Sequence, residues 1–107
     1  MLDEKLATEL IPQADEYLLH PLTEICENFL INSLRKDNVI NLLNMADVYG
    51  IEKLKNTCLK FMIKNLSQIE GNEEMLKLPK HLYLDLLKYA LNREFQVNDL
   101  LITIHKI

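Results

Sequence analysis

This sequence predicts an all-α fold of two stacked antiparallel helical hairpins followed by further helices, and three observations predict it. The first is an internal repeat. Residues 14–34, ADEYLLHPLTEICENFLINSL, and residues 46–66, ADVYGIEKLKNTCLKFMIKNL, agree without a gap at eight of 21 positions when offset by 32 residues. The matches are Ala14/Ala46, Asp15/Asp47, Tyr17/Tyr49, Leu22/Leu54, Cys26/Cys58, Phe29/Phe61, Ile31/Ile63 and Leu34/Leu66. The second is apolar spacing of the i, i+3, i+4, i+7 type in both copies. The third is composition: two glycines and three prolines in 107 residues favour helices with short connections over a sandwich of many tight turns. That length suits one domain with a real core, and 49% hydrophobic against 26% charged residues argues against disorder.

Each element can be justified in order. Leu10, Ala14, Tyr17 and Leu18 mark a first helix, and Pro12 either opens it or kinks a longer one starting near Asp3. His20 precedes a proline and so resists the α conformation, which puts a boundary there. Pro21 then sits at the first helical position, where a missing N–H costs nothing. Leu22, Ile25, Cys26, Phe29 and Leu30 mark the second helix. Val39, Leu42, Leu43, Ala46 and Tyr49 mark the third, stopped by Gly50 where a left-handed residue is wanted. Leu54, Cys58, Phe61, Met62 and Leu66 mark the fourth. Neither hairpin can bury its apolar stripe alone, but stacked they share a core.

Phe29 and Phe61, at matched positions, are expected to be largely buried between the hairpins. Asp15 and Asp47 fall near helix C-termini, where the macrodipole disfavours a carboxylate. Their recurrence points either to a hydrogen bond with backbone N–H groups of the turn or next helix, or to plain solvent exposure. SQIEGNEE reads as a loop or short turn around Gly71. Pro79 opens a helix with the stripe Leu82, Leu86, Leu87, Ala90 and Leu91. The final REFQVNDLLITIHKI offers either a short strand at LLITI or a helix that continues.

Charge and chemistry narrow the function. Residues 3–27 carry seven acidic side chains against Lys5 alone, whereas residues 35–64 carry six basic against three acidic. A pI near 5.3 without an arginine cluster excludes the basic stripe that nucleic-acid binding needs. Cys26 and Cys58 lie on apolar stripes, no CxxC occurs, and His20, His81 and His105 are scattered, so no metal site or nucleophilic cysteine is expected. No phosphate loop, HExxH or triad pattern points to catalysis, to a cofactor or to a small-molecule substrate. No apolar run reaches transmembrane length and the acidic N-terminus is unlike a secretory signal, so an intracellular protein is expected.

Two segments resemble a known pair of modules. ADEYLLHPLTEICENFL resembles the last helical hairpin of a BTB (POZ) domain. LRKDNVINLLNMADVYGIEKLKNTCLKFMIKNL resembles the start of the BACK domain that commonly follows BTB, and MLKLPKHLYLDLLKYAL resembles the next BACK helices more loosely. The resemblance implies that residues 1–34 form the C-terminal helical part of a BTB-like domain and residues 35–107 a BACK-like domain, together a fragment of a longer BTB–BACK protein. A serine-type cap usual in the family before D-N-V is replaced here by Arg35-Lys36, which leaves Asp37 as the expected cap of the third helix.

What the resemblance implies about function is a non-catalytic substrate adaptor of a cullin-3 ubiquitin ligase. In that family the BTB domain and first BACK helices hold the cullin's N-terminal region, and a separate domain takes the substrate. A helix-in-groove seam would then run between the third and fourth helices, from Val39, Leu43 and Tyr49 to Leu54. The alternative is a scaffold or oligomerisation repeat without cullin binding. Were the first two helices built to pack on a missing sheet, Leu6, Leu10, Ile11, Leu18 and Leu19 would form an apolar surface suited to a homodimer, with Leu18 and Leu19 near its centre.

Overall fold

The computed structural model describes residues 1–69 and 71–94, and every element among them is helical. The first hairpin is α1 (Glu4–Glu16) and α2 (His20–Ile31); the second is α3 (Val39–Val48) and α4 (Glu52–Lys64). The short helices α5 (Leu66–Ile69) and α6 (Glu73–Leu76) lead to α7 (Lys80–Glu94). Local chemistry explains the boundaries. Asp3 caps α1, its carboxylate accepting the Leu6 N–H at 2.7 Å. Pro12 lies inside α1 rather than opening it, so the longer helix starting near Asp3 is the one that forms. Pro21 stands in the first turn of α2, where its lack of an N–H is harmless. Pro79 immediately precedes α7.

The expected Asp37 cap is absent. Asp37 instead pairs with Arg35 Nε at 2.9 Å, and the residue before α3 is the buried Asn38. Its carbonyl oxygen accepts the Arg35 backbone N–H at 2.7 Å. Its amide donates to the Ser33 carbonyl at 2.9 Å and to Glu4 Oε1 at 3.1 Å. Glu4 also takes Arg35 Nη1 at 2.9 Å. This knot fastens the start of α1 to the entry of α3, and no polar atom of the buried asparagine is left without a partner.

α1 packs on α2, α3 on α4, and both α2 and α7 on α4, which is therefore the central helix. The core runs through Ala7, Ile11, Cys26, Leu30, Leu43, Leu54, Cys58, Met62, Ile69 and Leu82. Matched repeat positions share it: Ala14/Ala46, Cys26/Cys58 and Leu30/Met62 are all buried, so the repetition is architectural. A side chain from one hairpin also caps a helix of the other. Ile51, ahead of α4, offers no side-chain cap, and Glu27 of α2 accepts the Leu54 N–H at 3.1 Å instead. A carboxylate at a helix N-terminus satisfies an orphan donor and suits the dipole.

Several expectations are corrected. Ile25, read as part of the second helix's apolar stripe, is exposed, whereas Phe29 and Phe61 are partly buried and pack against the core. The segment around Gly71 is not plain loop. α5 and α6 flank it because Ile69, Met75 and Leu78 bury against the core and Asn72 caps α6 through the Glu74 N–H. On α7, Leu82 and Leu86 are buried but Leu87 and Leu91 are exposed, since only the α4 side of the helix is covered. Residues 95–107, and with them the strand-or-helix question at LLITI, lie outside the described residues.

Candidate partner-binding groove

Both hairpins turn through one backbone design. Ala14 accepts the Leu19 N–H at 2.8 Å while Asp15 accepts the Leu18 N–H at 3.2 Å; in the second copy Ala46 accepts from Ile51 at 2.8 Å and Asp47 from Gly50 at 3.4 Å. These are the paired bonds of a Schellman ending, and they explain the Ala-Asp-x-Tyr motif. Alanine sits where the last turn must pack tightly, and the residue after tyrosine must be left-handed. That residue is Gly50 at φ 65 in one copy and Leu18 at φ 54 in the other. A left-handed leucine costs roughly 1–2 kcal/mol, because its β-carbon crowds the following carbonyl oxygen.

Between the two turns lies an open groove of about 470 Å³. Ala14, Asp15, His20 and Thr23 form one wall with Glu24 and Glu27; Tyr49, Gly50 and Ile51 form the other with Glu52 and Lys53. Lys53 is held to Asn28 at 3.1 Å and Glu27 to the Leu54 N–H. Asp15, Glu24 and Glu52 make no ion pair among the described residues, so the groove is acidic. In the chain between the groove residues Asp15 and His20 stand Tyr17, Leu18 and Leu19, which are 67%, 72% and 47% exposed.

The second turn carries a polar cluster that the first lacks. Asp47 Oδ2 lies 2.6 Å from His81 Nε2, and Asp47 Oδ1 lies 3.2 Å from Lys55 Nζ, which reaches Asp85 Oδ2 at 3.0 Å. The His81 hydrogen bond, followed by that from Lys55, holds the Asp47 carboxyl below its usual range. Asp85 and then Asp47 raise Lys55. The hydrogen bond expected from Asp15 and Asp47 to backbone N–H groups does not form. Asp47 engages side chains of α4 and α7, and Asp15 is exposed. Both cysteines are buried; burial raises the Cys26 thiol and pushes that of Cys58 up to about 12, so neither offers a thiolate. Among the described residues no group of side chains is arranged to hold a metal.

The residues of the seam expected from Val39, Leu43, Tyr49 and Leu54 are not equally accessible. Val39, Leu43 and Leu54 are fully buried, because the α3–α4 interface is closed by their own packing, and only Tyr49 reaches the groove. The apolar set is also divided. Ile11 is buried in the core and Leu10 half-buried against it, whereas Leu6, Leu18 and Leu19 are exposed. The acidic wall was present in the sequence as the charge imbalance of residues 3–27, but nothing there showed that Asp15 and Glu24 would face Glu52 across a groove.

Stacked helical hairpins with a groove at their turns define a protein-interaction module. The comparisons place it more closely. The model of the BACK family, described as BTB And C-terminal Kelch, matches residues 39–103, more than half of the chain. The chain is 33% identical over 66 residues to a BTB/POZ domain-containing protein of Arabidopsis thaliana, covering 62% of this chain and 23% of that one. It is 36% identical over 78 residues to BTB/POZ and MATH domain-containing protein 4 of the same plant, covering 73% and 17%. It is 33% identical over 58 residues to Kelch-like protein 6 of Homo sapiens, covering 54% and 9%. The chain belongs to the BACK family and is a module of the BTB–BACK kind. It spans less than a quarter of the length of these relatives.

Proposed function

We propose that this module docks the N-terminal region of cullin-3 as part of a BTB–BACK substrate adaptor, acting inside the cell and without catalysis of its own. Residues 1–34 then serve as the C-terminal helices of a BTB-like unit and residues 35–107 as the BACK-like unit. The observation that carries this reading is the open groove between the two turns, which spans the junction of those units and is lined by Tyr49, the one half-buried member of the expected seam. A partner segment laid there would meet both hairpins at once, as helix-in-groove recognition requires.

A second reading, self-association without cullin binding, has its own support in the exposed Leu6, Tyr17, Leu18 and Leu19. Light scattering of the chain with and without the cullin-3 N-terminal domain separates the two. Docking gives a one-to-one complex that Tyr49→Ala weakens. A concentration-dependent dimer indifferent to the cullin domain supports the second reading and sinks the first.

A further inference from the structure

Leu18 combines two properties that rarely coincide. Its backbone is left-handed, and its side chain is 72% exposed, in the chain between the groove residues Asp15 and His20. The matched position 32 residues on shows that the turn itself does not need leucine, since Gly50 adopts the same conformation without a β-carbon. Strain in a side chain is usually offset by burial, and here burial is absent. Strain that local structure does not require is a pointer to function.

The surroundings say what would meet it. Asp15 and Glu24 line the adjoining wall and Glu16 is exposed on the end of α1. A symmetric dimer centred on Leu18 would bring these carboxylates of both copies together, which charge opposes. Within this chain, moreover, Arg35, Lys53 and Lys55 are already held by Glu4 and Asp37, by Asn28, and by Asp47 and Asp85. We infer that Leu18 is a partner-contact residue: an apolar knob receiving a segment of the protein partner that carries an apolar side chain flanked by lysine or arginine. This rests on the docking function proposed above and names the residue and the chemistry that make the contact.

The test compares wild type with three variants of this chain, using the cullin-3 N-terminal domain as probe, by calorimetric titration and thermal melting. Leu18→Gly relieves the backbone and removes the knob, so it is expected to raise the melting temperature by a few degrees while weakening binding about tenfold or more. Leu18→Ala keeps the strain and removes the knob, so it should lose the same affinity with no rise in melting temperature. The double change Asp15→Asn and Glu24→Gln should weaken binding and flatten its salt dependence. Wild-type binding that survives Leu18→Gly unchanged overturns this inference and leaves the docking function standing. So does a Leu18→Gly chain that melts no higher than wild type, because leucine would then carry no strain to explain. A Leu18→Gly change that dissolves a dimer but spares cullin binding assigns the knob to a second copy and likewise overturns it. No wild-type binding at all overturns the docking function, and with it the partner named here.

Discussion

The two hairpin turns share a backbone and differ in almost everything that covers it. Leu19 and Ile51 occupy matched positions ahead of α2 and α4, yet Leu19 is 47% exposed and Ile51 only 5%. Asp15 stands in solvent, while Asp47 sits between Lys55 and His81. The cause is α7. It packs on α4 and brings His81 and Asp85 to the second turn, and no described element does this for the first. A repeat thus dictates local geometry, but the third layer of helices decides which copy becomes interior and which becomes surface. The uncovered copy supplies Asp15 and Glu24 to the groove and the exposed Leu18 and Leu19 next to them in the chain, while the covered copy supplies Tyr49 and Glu52.

The largest effect that can break this comparison lies at Leu22 and Leu54. Leu54 is fully buried and its counterpart only half so. Leu54→Ala should cost about 2–5 kcal/mol and Leu22→Ala about 1–2 kcal/mol, measured by urea denaturation. Equal costs would mean the two copies share the core evenly. Next comes Asn38, whose removal would leave the Arg35 backbone N–H without its partner and the Ser33 carbonyl with only a long contact from Arg35 Nη1 at 3.5 Å. Asn38→Ala should cost about 1–3 kcal/mol, and an unchanged unfolding midpoint would show that the knot between α1 and α3 is dispensable.

How much of this was legible in the sequence follows from which forces act locally. The helices, Pro21, Gly50 and the shared core of the copies could be read because periodicity and backbone chemistry act within a few residues. Gly50 announced the left-handed turn, but Leu18, read as part of the first helix, adopts the same conformation where no glycine signals it. The groove was not legible, because Asp15, Glu24 and Glu52 converge only when the hairpins stack. Nor was the closure of Val39, Leu43 and Leu54, since an apolar helical stripe reads the same whether its cover is its own chain or a partner. The Asp37 cap failed for a tertiary reason: Glu4, 34 residues away, helps hold Asn38 in the place a local rule would give to aspartate.

Gly50 sharpens the comparison from the other side. Space around its missing β-carbon is open, with no heavy atom within 4 Å, so only the backbone angle opposes a side chain. Gly50→Ala should therefore cost about 1 kcal/mol from conformation alone, and thermal melting reads it directly. A much larger loss would mean that the second turn is also closed by packing against the glycine, which the open space does not support.

The smallest effect concerns the pair Asp15 and Asp47. Asp47 is held mainly by His81 and then by Lys55, and its folded carboxyl lies below the ordinary 3.8. A depressed carboxyl stabilises the fold fully above its unfolded value and loses that contribution as pH falls through the folded one. Asp47→Asn should thus cost about 0.5 kcal/mol at neutral pH, a figure kept small because the 21%-exposed side chain is screened by solvent, and salt should reduce it further. As pH falls from 3.8 through the lower folded value, wild type and variant should converge. Asp15→Asn, at the matched position that makes no ion pair among the described residues, should cost less than Asp47→Asn at neutral pH. If both variants lose the same stability at neutral pH, then α7 does not single out the second turn, and the difference between the hairpins has some other source.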